Sequence, residues 1–355
     1  MKTYQYNILA EENRLERLSA MGDPLEKVSE HIDFEEYRAK LEESALTQDK
    51  DPSKGGRPPT DVVLLWKMAL LQDWYNISDD NVEYMVNDRL SFQRFMGLGL
   101  NDKVPDANTL WDFKEKLAQK ETDKELFEMF VAKMEGDGVI TRKGSIVDAS
   151  FVDVPRQRNT REENKTIKEN DWPEEWEENP HKMSQKDIDA RWAKKNNETH
   201  YGYKDHVKVD KDSKMIVTHE VTNAAVHDSQ KIVELLDEKD EVVYADSAFV
   251  GEELHEEIRD KCGEEIVLKI NEKGYKNKPL TDDQKASNLE KSRVRARVEH
   301  VFGFMTVSMG GMFIRTINMT RAKAVIARRN LAYNFKRFVY LDSLPKSAKP
   351  RVKCA

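Results

Sequence analysis

Three carboxylates in this sequence occupy positions from which an acid can do chemistry. Asp148 ends the run Ser145-Ile146-Val147-Asp148, Asp246 ends Val242-Val243-Tyr244-Ala245-Asp246, and Glu299 lies in an arginine-rich run with Arg293, Arg295 and Arg297 just before it. Singly, each has a plain reading: a turn or cap residue at a strand end, or, for Glu299, the i,i+4 ion-pair partner of Arg295. Together they are hard oxygen donors suited to Mg²⁺ or Mn²⁺, ions that bind through a few carboxylates and keep positions open for water and phosphate. Two such ions about 3.5–4 Å apart stabilise the attacking and the leaving oxygen of an in-line displacement at phosphorus. Without metal, three neighbouring acids repel one another and their pKa values rise.

These acids need two strands and a helix to carry them. Val294, Val298, Val301, Phe302 and Met305 recur at helical spacing, so residues 293–306 read as an amphipathic helix with its apolar stripe turned inward. Ser292, Glu299 and Thr306 then fall one above another, with Arg295 one turn before Glu299. Strands are predicted over 144–154, 203–210 and 214–222, the last two joined at Lys211-Asp212-Ser213. A helix capped by Asp228, the strand 242–245, a helix over 252–261, a strand over 266–270 and a basic helix over 320–341 complete an α/β order. Residues 155–200, with Trp172, Trp176 and Trp192 among many charges, are too long for a structureless loop and predict a partly helical insertion or a flap.

Upstream the pattern is helical. Gly22 closes a first helix, Asp23-Pro24 starts a second, and Asp33 with Glu36 resembles a capping box. Residues 46–57 read as a linker. Helices follow from Pro58-Pro59-Thr60 to Trp74, from Ser78 to Leu90, over 91–96, and from Pro105-Asp106 to about Gln119. Short helices with tight turns suit a helix-turn-helix type of DNA-binding module, though most small bundles are only bundles. The expected division is therefore 1–57 N-terminal helices and linker, 58–135 helical module, 136–345 catalytic domain with insertion 155–200, and 346–355 basic tail.

Composition narrows the functional class. The 355 residues are 38% hydrophobic and 35% charged, and the longest apolar run, Val62 to Leu71, is broken by Lys67 and too short for a membrane span. No signal peptide opens the chain, and Cys262 and Cys354 form neither a disulfide framework nor a zinc cluster, so a cytoplasmic setting is expected. The net charge of −8 hides an asymmetry: residues 285–355 hold 16 Lys and Arg against 3 Asp and Glu, a basic end that suits a polyanion or a solvated face. His200 and His206, six apart with no third nitrogen or thiol ligand near, make a poor zinc pair.

Seven motifs, in order, resemble the DDE transposases of the insertion sequence 5 family over nearly the whole chain. They are Gly56-Arg57-Pro58-Pro59, Asn108-Thr109-Leu110, Val147-Asp148-Ala149-Ser150, and the run His200-Tyr201-Gly202-Tyr203-Lys204-Asp205-His206. Thr222-Asn223-Ala224-Ala225-Val226-His227-Asp228, Tyr244-Ala245-Asp246-Ser247-Ala248-Phe249 and Arg293 to Phe302 complete them. The resemblance implies an RNase H-like mixed sheet flanked by helices. It implies Asp148, Asp246 and Glu299 as catalytic metal ligands for Mg²⁺ or Mn²⁺, two ions in number. Its substrates would be double-stranded DNA at terminal inverted repeats and target DNA, handled by a homodimer in a prokaryotic cytoplasm, at the nucleoid.

The family pattern around the Glu has Tyr and Lys where this chain has Ser292 and Thr306. Arg293, Arg297 or Arg315 are candidates to compensate. Further DNA or phosphate contacts are expected at Arg295, His300, His227, Lys204, Arg328 and Arg329. Two rival readings remain at this level: a nuclease on the same fold that cuts without joining, and a DNA-binding protein that has lost the chemistry.

Overall fold

Five largely apolar or β-branched runs after residue 140 and one polar strand, β2, pair into one six-stranded sheet: β1 (Ser145–Asp153), β2 (Arg191–Lys195), β3 (Glu198–Asp210), β4 (Ile216–Asn223), β5 (Val242–Ala245) and β6 (Val267–Ile270). The computed structural model describes residues 10–46, 59–169, 171–195, 197–275 and 279–345. The linker from residue 47 onward, Gly56-Arg57-Pro58 and the tail 346–355 lie outside the described residues. The order is β2-β3-β1-β5-β6, with β4 also on β3; β1, β3 and β4 run antiparallel, and β1, β5 and β6 run parallel. This is the mixed sheet expected of an RNase H-like domain. Among the described residues no helix is long and apolar enough to cross a membrane.

Strand alternation separates two faces. Ile146, Val207, Val209 and Tyr244 pack with Val298 and Val301 of the Asp282–Gly303 helix in the main core. The intervening Val147, Val243 and Ala245 pack on the other face with Ile232, Leu235 and Ile258. Gly202, in the His-Tyr-Gly-Tyr motif, has φ +149, and a Cβ there would lie 2.3 Å from Val152 O. Only glycine lets β3 pass β1 so closely.

The main core runs without a break from the sheet into the N-terminal helices. Phe335, on the Met319–Ser343 helix, meets the rings of Phe34, Tyr37, Trp66 and Phe130, and Trp74 Nε1 donates to Ala332 O at 2.9 Å. Upstream boundaries follow the sequence closely. Asp23 caps Pro24–His31, Ser78 caps Asp79–Asp88, and Asp106 caps Ala107–Gln119.

Several local expectations are corrected. Asp33 caps only a 3₁₀ turn, Phe34–Tyr37, and Glu36 pairs with Lys133 instead of closing a box. Asp61, rather than the preceding prolines, starts the Val62–Tyr75 helix by accepting from Leu64 N. The helix Thr122–Gly136 is additional, and the helix expected after Asp228 is a 3₁₀ turn followed by the short Ile232–Leu235.

The insertion is partly helical, as expected, with helices Arg161–Lys168, Glu174–Glu177 and Pro180–Met183. A capping box between Thr160 and Glu163 starts the first, and Glu163 also binds buried Trp176 and Lys182. The insertion returns through β2, which was not foreseen because its side chains are largely solvated and carry no apolar alternation.

Candidate active site

Parallel pairing of Ser145 with Val243 and of Ile146 with Tyr244, continued two steps, brings Asp148 level with Asp246. Both share the parity of Ile146 and Tyr244, so they face the Asp282–Gly303 helix. On β6 the next level position is Asn271, whose N–H donates to Ala245 O at 3.3 Å. Three polar residues thus form a row across the sheet, Asp148 within β1 and Asp246 and Asn271 just past the carboxyl ends of β5 and β6. Sequence reading missed Asn271; its signal is a polar residue directly after an apolar strand.

The helix is anchored over this row by Val298, Val301 and Met305, buried, with Val294 and Phe302 packed partly behind them. Lys291 Nζ donates to Ile270 O, and Asn271 Nδ2 to Ser292 Oγ at 3.1 Å, fixing the helix to the end of β6. Thr306 leaves the straight stripe because a π turn, Phe304–Ser308, interrupts the helix after Gly303.

Asp148 Oδ1 accepts from its neighbour Ala149 N at 2.8 Å, and Asp246 Oδ1 from Ala248 N at 2.7 Å. Among the described residues the second oxygen of each accepts no hydrogen bond. Burial pushes the Asp148 carboxyl above the usual range; the Ala149 N–H and the charges of Arg295 and Lys195 oppose this, and the charge of Asp246 adds to it. Arg295 Nη2 stands 3.9 Å from Asp148 Oδ2, and Arg295 Nε is buried without a partner, as is Asn271 Oδ1. Glu299 is exposed one turn beyond Arg295 and forms no ion pair with it among the described residues. The plain i,i+4 reading of Glu299 is therefore not what the helix adopts.

Free carboxylate oxygens on adjacent strands, that of Asp148 pushed up by burial, are donors that suit a hard divalent cation. Among the described residues no three His, Cys, Asp or Glu side chains are gathered tightly enough to hold a metal ion. The donor types of Asp148 and Asp246 fit.

The other expected phosphate contacts divide sharply. Arg293 and His300 are exposed, and Arg297 binds Lys211 O and Asp212 at the β3–β4 turn. Lys204 lies on the opposite sheet face from Asp148, bonded to Val226 O and Asp228, while exposed His227 caps its own turn through Ser229 N. Lys208, on the same strand face as Lys204, is fully buried on Asp240 and Asp237. Arg328 and Arg329 are corrections. Arg328 is 2% exposed between Asp73 and Asp123, and Arg329 is 3% exposed, donating to Phe313 O and Met309 O. Acids and carbonyls from distant segments take up this charge, which a count along the sequence reads as a free basic surface.

No solved structure matches the chain. A family model described as Transposase domain (DUF772) matches residues 12–116, the helical N-terminal part. The model described as Transposase DDE domain matches residues 141–335, which span the whole sheet, both aspartates and the helix of Glu299, and the chain accordingly belongs to the DDE transposases.

Proposed function

We propose that this transposase recognises the terminal inverted repeats of an insertion sequence of the insertion sequence 5 type, cuts at the element ends, and joins the freed ends to target DNA. The observation that carries the reading is the level placement of Asp148 and Asp246 on neighbouring parallel strands, beneath the helix of Arg295 and Glu299. Asp148, Asp246 and Glu299 are the residues that would hold the divalent cations of this family, two Mg²⁺ or Mn²⁺ ions. Bound there, such ions would supply Lewis acidity toward the phosphate and a nucleophilic oxygen at neutral pH.

The chain's own part is positioning. Arg295, beside Asp148, is suited to hold a phosphate oxygen in the fork of its guanidinium. Asn271 and Lys291 fix the helix that carries Arg295 and Glu299 to the end of β6. Phosphoryl transfer depends chiefly on placement and charge neutralisation, which is why no Ser, Cys or His nucleophile is required. Residues 58–135 are assigned to repeat recognition and 136–345 to the chemistry, with two protomers acting on two ends.

The test is a strand-transfer assay with a pre-cut element end and a plasmid target. Joined products that disappear in Asp148→Asn, Asp246→Asn and Glu299→Gln, with duplex binding retained, support the assignment. Hydrolysis with no joined product would return the reading to a nuclease, and near-normal joining by any of the three variants would remove that residue from the ligand set.

A further inference from the structure

A cavity of about 320 Å³ opens at the seam between the N-terminal helices and the far end of the catalytic sheet. The Val62–Tyr75 and Ala107–Gln119 helices wall one side; segment 313–317 and the Met319–Ser343 helix wall the other. Acids in the wall are already matched: Asp73 by Arg328 and Glu115 by Arg321, each at 2.6 Å, and Asp79 by Lys114. Two guanidiniums are not. Arg329 gives Nη1 and Nη2 to main-chain carbonyls and leaves Nε without a partner. Exposed Arg315 donates only to Asn76 Oδ1, at 2.9 Å, and lies over the Phe313 ring. Among the described residues neither has an acid in contact.

Their mutual field is visible at Arg329. Burial lowers its pKa, Asp73 opposes this, and the charges of Arg315 and Arg328 lower it further. Thr316 Oγ1, beside Arg315 where a second cavity adjoins this one, is buried with no partner. Exposed Trp111 adds an apolar plate at the rim. Excess positive charge with unfilled donors is the character of a built anion site.

Its distance from the acids identifies the anion. Asp153 N donates to Met312 O and Ile314 N to Asp153 O, so the segment leading to Arg315 is tied to the end of β1, five residues beyond Asp148. At about 3.3–3.4 Å per residue this is roughly 17 Å. Phosphates on a DNA strand rise about 3.4 Å each along the duplex axis while winding around it, so a straight separation of this size spans only a few nucleotides. We propose that the seam binds a backbone phosphate of the DNA strand a few nucleotides from the scissile bond, through the Arg315 guanidinium and the Thr316 hydroxyl. The inference rests on the transposase reading of the aspartate site and extends its DNA path across the seam.

The test uses the full chain and a duplex, with affinity measured as salt is raised. Arg315→Ala should weaken binding on the order of tenfold at low salt and reduce the salt slope by about one, whereas Arg315→Lys should keep the slope. Thr316→Val should weaken binding severalfold with the slope unchanged. Single methylphosphonate replacements along one strand should reveal a position whose neutralisation weakens the wild type but not Arg315→Ala. Wild-type binding and cleavage with an unaltered Arg315→Ala slope and no such position would overturn the seam site alone. Failure of the wild type to bind or cut DNA would instead overturn the reading on which it rests.

Discussion

Arg295 Nη2 approaches Asp148 Oδ2 to 3.9 Å across the gap between helix and sheet, while Glu299, one turn further along, is left without that arginine. The cation is thus directed at the site rather than consumed within its own helix. Arg295→Gln should slow single-turnover cleavage by about 10²-fold, comparable to loss of a preorganised donor at a developing charge, and change duplex affinity far less. Arg295→Lys, which keeps charge but not the planar fork, should recover only part of the rate. Wild-type cleavage by Arg295→Gln would rule out a role at the phosphate.

Much of this site was legible because its determinants are local. Asp148 and Asp246 each follow a short apolar run, and Val298, Val301 and Met305 set the inward face of the helix that presents Arg295. What could not be read depends on partners far along the chain. Arg328 finds Asp73 some 255 residues away, and Lys208 meets Asp240 only because β3 and the turn before β5 converge. Asn271 is one polar residue at a strand end, and its meaning appears only when β6 is set beside Asp246.

The burial of Arg328 separates a structural cation from a DNA contact. Arg328→Met would leave Asp73 and Asp123 buried without their charge partner, a change that typically costs about 3–5 kcal/mol. A lowered urea midpoint should report it, and the protein that remains folded should bind duplex with an unchanged salt slope. A slope reduced by about one without loss of stability would show instead that Arg328 reaches phosphate.

The insertion should be sensitive to acid through Glu163. Burial raises its pKa, but hydrogen bonds from Lys182, Trp176 and the Thr160 N–H prevail and hold it at about 2. Because the folded value lies below the ordinary carboxylate value, this contribution is present above about pH 4.5 and is lost as pH falls toward 2. Emission from Trp172 and Trp176 should therefore report loosening of residues 160–183 across that window. In Glu163→Gln the insertion should already be weakened at neutral pH and show little further dependence there; a wild-type profile would contradict the assignment.

Asp205, on the same face as Val207 and Val209, should act in the opposite direction. Burial pushes its carboxyl up to about 7; the Asn330 amide, donating at 3.3 Å, lowers it in part, and the charge of Glu220 adds to the rise. A folded value above the unfolded one means that the stabilisation is complete below about pH 4 and is lost as pH climbs through 7. Buried His219, held at about 3, contributes the reverse trend below pH 6.5, so the Asp205 term must be isolated by difference. Asp205→Asn keeps an acceptor for Asn330 and cannot ionise. It should come nearest to the wild type near pH 4 and gain on it by at least ~1 kcal/mol between pH 5 and pH 8, measured by chemical denaturation. A constant difference between pH 5 and 8 would mean that Asp205 does not titrate in this range.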